Sequence, residues 1–512
     1  MRRIVLALLI GVFASESGPT LRAQDSPTFR TGTTLIEFTI VALDADGNPV
    51  TNLTKEDVVL TEGGRTREVA FFRFDGNAPA VSTSSESSSP AGFASNRPEP
   101  ERNAAAIVID QLNVGVTGGY GQTAVRGLLL SYLNSLPQNT FAGLFRFAET
   151  RPMATLQAFT NRIDLLRSRV NSLDLSLRLE NQPLELWSGS GRQSVAASTI
   201  AAIGAIDSRQ DATINRIIHD LRLARTVEGL EALGSHLTAI PGRKSLIWIT
   251  DSPAAYFDDL IYEPRIRQAA QRLANQGISV YPVSPGLRAT ASEEATDAQK
   301  STASIFASVT GGRVVANTNN PADGITLAAR DQRGTYAVGF YATDEPDDAW
   351  RPLKVEVRRR DVALRYRQGY LAVRRAQPHN WPEQTWNDLA YQPLDSTEIR
   401  IDGRAETAGT GVSLSMQVTA RDLYFHEKDG RMIADLEIGL VERNPKGPTN
   451  VRVQPMEVNL EAPVIGQRPE LVPVMTTWKL NAGTTAIRAI VRDRFTGRYG
   501  TLELPFARVG TE

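Results

Sequence analysis

Residues 104–115 read AAAIVIDQLNVG, and the fold turns on this stretch. Ala104 to Ile109 are apolar without a break, and Asp110 ends the run. A strand covered on both faces reads this way, because neither face needs polar side chains. Asp110 therefore belongs at the carboxyl end of a buried parallel strand, ahead of a loop with glycines at 115, 118, 119 and 121.

Downstream, apolar runs alternate with helical spacing. Val125, Leu128, Leu129 and Leu133 recur at helical intervals, Phe141–Phe147 reads as a strand, and Thr160 caps a helix carrying Ile163, Leu166 and Val170. A mostly helical stretch covers about 194–239, and Lys244–Thr250 (KSLIWIT) is a strand that delivers Asp251. Strand Ile278–Val283, helix Thr302–Val309, strand Arg313–Ala316, helix Pro321–Arg330 and strand Thr335–Tyr341 complete the run. This alternation predicts an α/β fold over 104–342, a doubly wound, mostly parallel sheet with helices on both faces.

The flanks change period. Residues 24–76 alternate as an N-terminal β segment, to be completed by strands from 343–373. Residues 77–103, rich in Ser, Pro and Glu, read as a disordered linker. A connector over 374–394 holds Trp381, Trp386 and Tyr391 as anchors against a neighbouring domain. Alternating runs over 395–512 predict a C-terminal immunoglobulin-like β-sandwich.

Composition narrows the function classes. Lys+Arg 56 against Asp+Glu 57 gives a net charge of -1 over 512 residues, which argues against a nucleic-acid partner. The absence of cysteine excludes disulfides, thiolate metal sites and cysteine nucleophiles. Arg2, Arg3 and the apolar Ile4–Ala14 read as a signal peptide over 1–23, with cleavage after Ala23. The expected product is periplasmic or secreted, with no transmembrane segment after cleavage.

Asp110 and Asp251 are the candidate site. Both stand at strand ends, where open α/β sheets gather ligands, and paired carboxylates suit a hard cation. Enzymatic patterns are missing. His219, His236, His379 and His426 are scattered and form no HExxH, and no Gly-x-Ser-x-Gly elbow occurs. The expectation is no catalytic residue; the alternative is an envelope-acting hydrolase working through Asp110 and Asp251. The loop Gly115–Gly121 suggests phosphate binding, yet it is neither GxGxxG nor a P-loop, since no Lys-Ser/Thr follows. The acidic residues of 344–348 and the basic run 358–360 read as solvated charges.

Four stretches carry a resemblance: VALDADGNPVTNLTKEDVVLTEGG, PGRKSLIWITD, YAVGFYATDEPDDAWRPLKVEVRRRDVALRYRQGY and RAIVRDRFTGRYGTLELPF. With them the chain resembles the von Willebrand factor A-related family of exported bacterial proteins, and 104–341 resembles a von Willebrand factor A-type domain. Such domains hold a divalent ion through Asp-x-Ser-x-Ser, a later Thr and a later Asp. The resemblance gives those roles to Asp110, Thr226 and Asp251, while the serine positions are Leu112 and Val114, so the adhesion site is degenerate. Asn113 offers an amide oxygen in their place. The metal set is thus Asp110, Asn113, Thr226 and Asp251, with Mg²⁺ as the ion and no cofactor required. In the competing reading both aspartates only accept hydrogen bonds from loop and helix amides. The implied function is non-enzymatic binding, scaffolding or adhesion to an envelope or extracellular protein at the strand-end rim, without need of metal.

Overall fold

The computed structural model describes residues 34–75, 93–97, 103–112, 119–137, 140–147, 153–173, 184–188, 191–195, 208–240, 242–250, 259–284, 293–315, 321–342, 347, 349–372, 378, 380–408, 411–445, 447–449, 451–461 and 470–505. The signal segment 1–23 lies outside the described residues.

The central sheet has five strands in the order Ile278–Val283, Lys244–Ile249, Ala104–Asp110, Phe141–Phe147, Ala154–Thr160. The first four run parallel, and Ala154–Thr160 closes one edge antiparallel to Phe141–Phe147. A parallel bridge between Val283 and Val315 marks the other edge, where the sequence predicts a longer strand over 313–316. Every residue of Ala104–Asp110 is buried, as its unbroken apolar run requires.

Alternate residues of that strand feed two cores. Ala104, Ala106 and Val108 face Leu230, Leu273 and Phe306, which lie on helices Ser208–Leu237, Asp259–Asn275 and Glu293–Thr310. Ala105, Ile107 and Ile109 face Leu129, Leu166 and Ile325, on helices Gly119–Ser135, Ile163–Ser172 and Pro321–Asp331. Period-two alternation in the strand thus meets period-3.6 stripes from helices on both sides.

Two sequence assignments inside this region change. Thr160 is the last residue of an edge strand, and its Oγ1 accepts from Arg162 N at 3.1 Å just ahead of the helix at Ile163. The long helix begins at Ser208, and Leu184–Ser188 pairs with Gly191–Val195 as a hairpin before it.

Strand Thr335–Ala342, assigned from sequence to the α/β sheet, lies elsewhere. It sits between Thr34–Leu43 and Val69–Phe74, antiparallel to both. Most of its residues are buried, which is why it reads like an α/β strand: Tyr336, Val338 and Phe340 face the β core, and on the other face the Phe71 ring lies over Gly339. With Ala363–Tyr366 these strands form one four-stranded sheet. Gly369–Leu371, Trp350–Val357, Val58–Glu62 and Arg65–Arg67 form a second. Phe38, Ile40, Leu60, Val338, Phe340 and Val355 fill the core between them.

The C-terminal unit also has two sheets. One orders Leu471–Lys479, Gly411–Thr419, Ile401–Ala408 and Phe93–Ser95; the other is built on Arg431–Asn444, Ala486–Asp493 and Tyr499–Pro505. Leu414, Met416 and Val474 from the first pack against Ile438, Ala489 and Leu502 from the second. Phe93–Ser95 corrects the linker reading of 77–103: this piece is a strand, pairing Ser95 with Asp402 and Ala94 with Gly403. In the connector, helix Glu383–Ala390 buries Trp386 and Leu389 against Val441 and Ile490.

The two β units meet the α/β domain at the amino ends of its parallel strands, where its helices finish. Arg243, just before strand Lys244–Ile249, donates to Thr39 Oγ1 at 3.2 Å and to Gly311 O at 3.3 Å. Arg367 donates to Asn275 Oδ1 at 3.1 Å and to Glu37 O at 3.2 Å. Arg365 pairs with Asp331, the last residue of its helix, at 2.9 Å. On the other side Thr397 N donates to Ser235 O at 2.9 Å, in the last turn of helix Ser208–Leu237. We call this end the base and the opposite end the rim.

Candidate functional site

The rim is organised by the central strand. The strand following Ala104–Asp110 in the chain, Phe141–Phe147, lies on one side of it, and Lys244–Ile249 lies on the other. Strand order therefore reverses between Ala104–Asp110 and Lys244–Ile249. Such a switch point opens a crevice outside the carboxyl ends, where α/β sheets bind ligands.

Asp110 closes the central strand at this point and is completely buried. By alternation it points to the same face as Ala106 and Val108. Val108 is in register with Trp248, whose indole thereby reaches Asp110 from the neighbouring strand. Trp248 Nε1–H donates to Asp110 Oδ2 at 2.9 Å, and Leu112 N–H donates to Oδ1 at 3.2 Å. Both donors are neutral, so the carboxylate is held by dipoles rather than by a cation at these two positions. Gln111 N–H turns toward the adjacent strand and donates to Phe147 O at 3.1 Å.

The other expected ligands are placed unevenly. Thr226 is buried, on a helix whose Leu223, Val227 and Leu230 line the same core as Trp248. Leu112, at the first serine position of the resemblance, is a core side chain packed in that cluster. Asn113 and Asp251 lie outside the described residues, as do Val114 and residues 115–118 of the glycine loop. Thr250, directly before Asp251, is buried and its N–H donates to Val283 O at 3.0 Å. Among the described residues no group of three or more His, Cys, Asp or Glu side chains could hold a metal. Mg²⁺ demands near-octahedral oxygen coordination; the Leu112 side chain offers no oxygen, Asp110 and Thr226 are buried, and the other two expected ligands, Asn113 and Asp251, lie outside the described residues.

The two described histidine side chains, His236 and His426, do not converge. His236 stacks on Phe159 at 5.4 Å between centroids, and its Nδ1 lies 2.7 Å from Asp395 O. Burial holds its pKa below the ordinary value of 6.5. His426 sits 3.8 Å from Asp435 on the C-terminal sandwich. His219 and His379 have no described side chains.

Sequence reasoning missed Trp248 as the partner of Asp110. The available signal was one tryptophan in the buried apolar run Leu246–Ile249, since a buried indole N–H needs an acceptor. It also left the roles of PGRK and RxGY unassigned. Both serve the base. Arg243 donates to Tyr281 Oη at 2.7 Å as well as to the contacts above. Lys244 Nζ donates to Ile240 O at 3.0 Å and Thr238 O at 3.3 Å. Burial pushes the Lys244 pKa down to about 8 and that of Arg367 down to about 10.

No protein-family model matches the chain, and no curated protein matches it. Among solved structures it is similar to the conserved hypothetical protein BatB from Bacteroides thetaiotaomicron, at 15% identity and TM-score 0.27, covering 44% of this chain and 96% of that one. It is similar to the manganese-loaded TRAP protein of Plasmodium vivax, at 11% identity and TM-score 0.26, covering 72% and 97%. It is also similar to a von Willebrand factor type A protein from Catenulispora acidiphila, at 9% identity and TM-score 0.23, covering 86% and 71%.

Proposed function

We propose that the chain is an exported, non-enzymatic binding or scaffolding protein of the von Willebrand factor A-related kind. Its α/β unit is a doubly wound A-type domain with a degenerate adhesion site, and its C-terminal unit is an immunoglobulin-like sandwich. A protein partner in the cell envelope or outside the cell docks on the rim around Asp110 and Gln111, and Mg²⁺ is not needed.

One observation carries this reading. Strand order reverses beside Ala104–Asp110, the position at which open α/β sheets gather ligands, while the contacts of both β units named above use the base. The Asp110 carboxylate is completely buried and tied to Trp248 and Leu112, as suits a support beneath a docking surface rather than a reacting group.

The full exported chain, used as bait on its own envelope fraction with and without chelator, tests it. One partner should be retained in both conditions and lost with Gln111→Arg, which places a charge on the rim. Release by chelator would overturn metal independence, and equal retention by Gln111→Arg would overturn the rim.

A further inference from the structure

We infer that Asn96 is a positioning residue: it braces the loop 396–399, through which the C-terminal sandwich clamps the α/β domain. This stands apart from the rim and does not rest on the binding reading.

The strap is short. Phe93–Ser95 forms the outer strand beside Ile401–Ala408, and Asn96 follows it with 6% of its surface exposed. The Asn96 amide uses both ends. Nδ2 donates to Ser396 O at 2.8 Å and to Ile399 O at 2.9 Å, while Oδ1 accepts from Ile401 N at 2.7 Å. Its own N–H donates to Ile401 O at 3.0 Å. Arg97 adds an ion pair with Asp402 at 2.7 Å.

The two carbonyls held by Nδ2 bracket Thr397 and Glu398, and these two make the clamp. Thr397 Oγ1 donates to His236 O at 2.9 Å and accepts from Ala239 N at 3.0 Å. Helix ends leave their last carbonyls without intrahelical partners. Thr397 thus caps helix Ser208–Leu237 from another domain. Glu398 Oε1 accepts from Gln276 Nε2 at 2.7 Å and from Ser235 Oγ at 3.3 Å. A residue 305 positions before Ile401 therefore sets the loop on which the domain contact depends.

Hydrogen exchange on the full chain tests this. Asn96→Ala should speed exchange at Ala239 and Thr397 by about tenfold or more, the size expected for losing buried hydrogen bonds. Strand Arg431–Asn444, deep in the same sandwich, should keep its protection. Asn96→Asp, which keeps the acceptor and loses both donors, should behave like Asn96→Ala at Ala239. Thr397→Val should reproduce the Ala239 effect with Ile401 unchanged. Unaltered exchange at Ala239 in Asn96→Ala, or equal loss of protection along Arg431–Asn444, would overturn the assignment.

Discussion

Trp248 and Asp110 meet across two neighbouring parallel strands, the indole N–H on the carboxylate at 2.9 Å, with both side chains fully buried. Trp248→Phe removes the donor and leaves a void beside Phe306, whose ring lies edge-on at 5.3 Å. The expected cost is about 2–4 kcal/mol, combining an unsatisfied buried acceptor with lost packing. Chemical denaturation checks this. A cycle with Asp110→Asn should give a coupling of about 0.5–3 kcal/mol; strict additivity would mean the two groups do not interact.

Lys244 predicts an alkaline signature. Its folded pKa is about 8 against an ordinary 10.5, because burial disfavours the charge. Between those values the unfolded chain binds more protons than the folded one, so this group makes stability rise with pH. The contribution is up to about 3 kcal/mol and complete above the upper value. Lys244→Met removes it. The stability of wild type relative to Lys244→Met should therefore increase from pH 8 toward 10.5; a flat difference would contradict the burial of a charged ammonium.

His236 gives the acidic counterpart. Its imidazole faces the Phe159 ring, the Asp395 carbonyl and carboxylate, and Arg488, and burial is the leading cause of its lowered pKa. As pH falls through 6.5 the unfolded chain protonates first, so stability present above that value is lost below it. In thermal melts, wild type should lose more stability than His236→Gln as pH drops below 6.5. Parallel curves would show that the imidazole stays solvated.

Much of the architecture was legible where burial and period agree. Ala104–Asp110 and Lys244–Ile249 read as buried strands because both faces of each meet helices. Thr335–Ala342 misleads because it is largely buried inside the β unit, with Tyr336, Val338 and Phe340 in its core and Gly339 under the Phe71 ring, and so carries the composition of a parallel-sheet strand. Phe93–Arg97 was illegible. Its ordering comes from Asn96 and Arg97 reaching partners about three hundred positions away, and local composition holds no trace of such pairing. Asp110 was found from its strand-end place, but its role depends on Trp248, which only register reveals.

The central claim is that the rim, not the base, receives the partner. The most direct measurement is site-specific photocrosslinking in the native envelope, with a photoreactive residue at Gln111 or at Asn134. Asn134 is exposed on the last turn of helix Gly119–Ser135, at the base. The account predicts one discrete crosslinked protein at Gln111, with chelator present or absent, and none at Asn134. Crosslinking at Asn134 with none at Gln111 would contradict it.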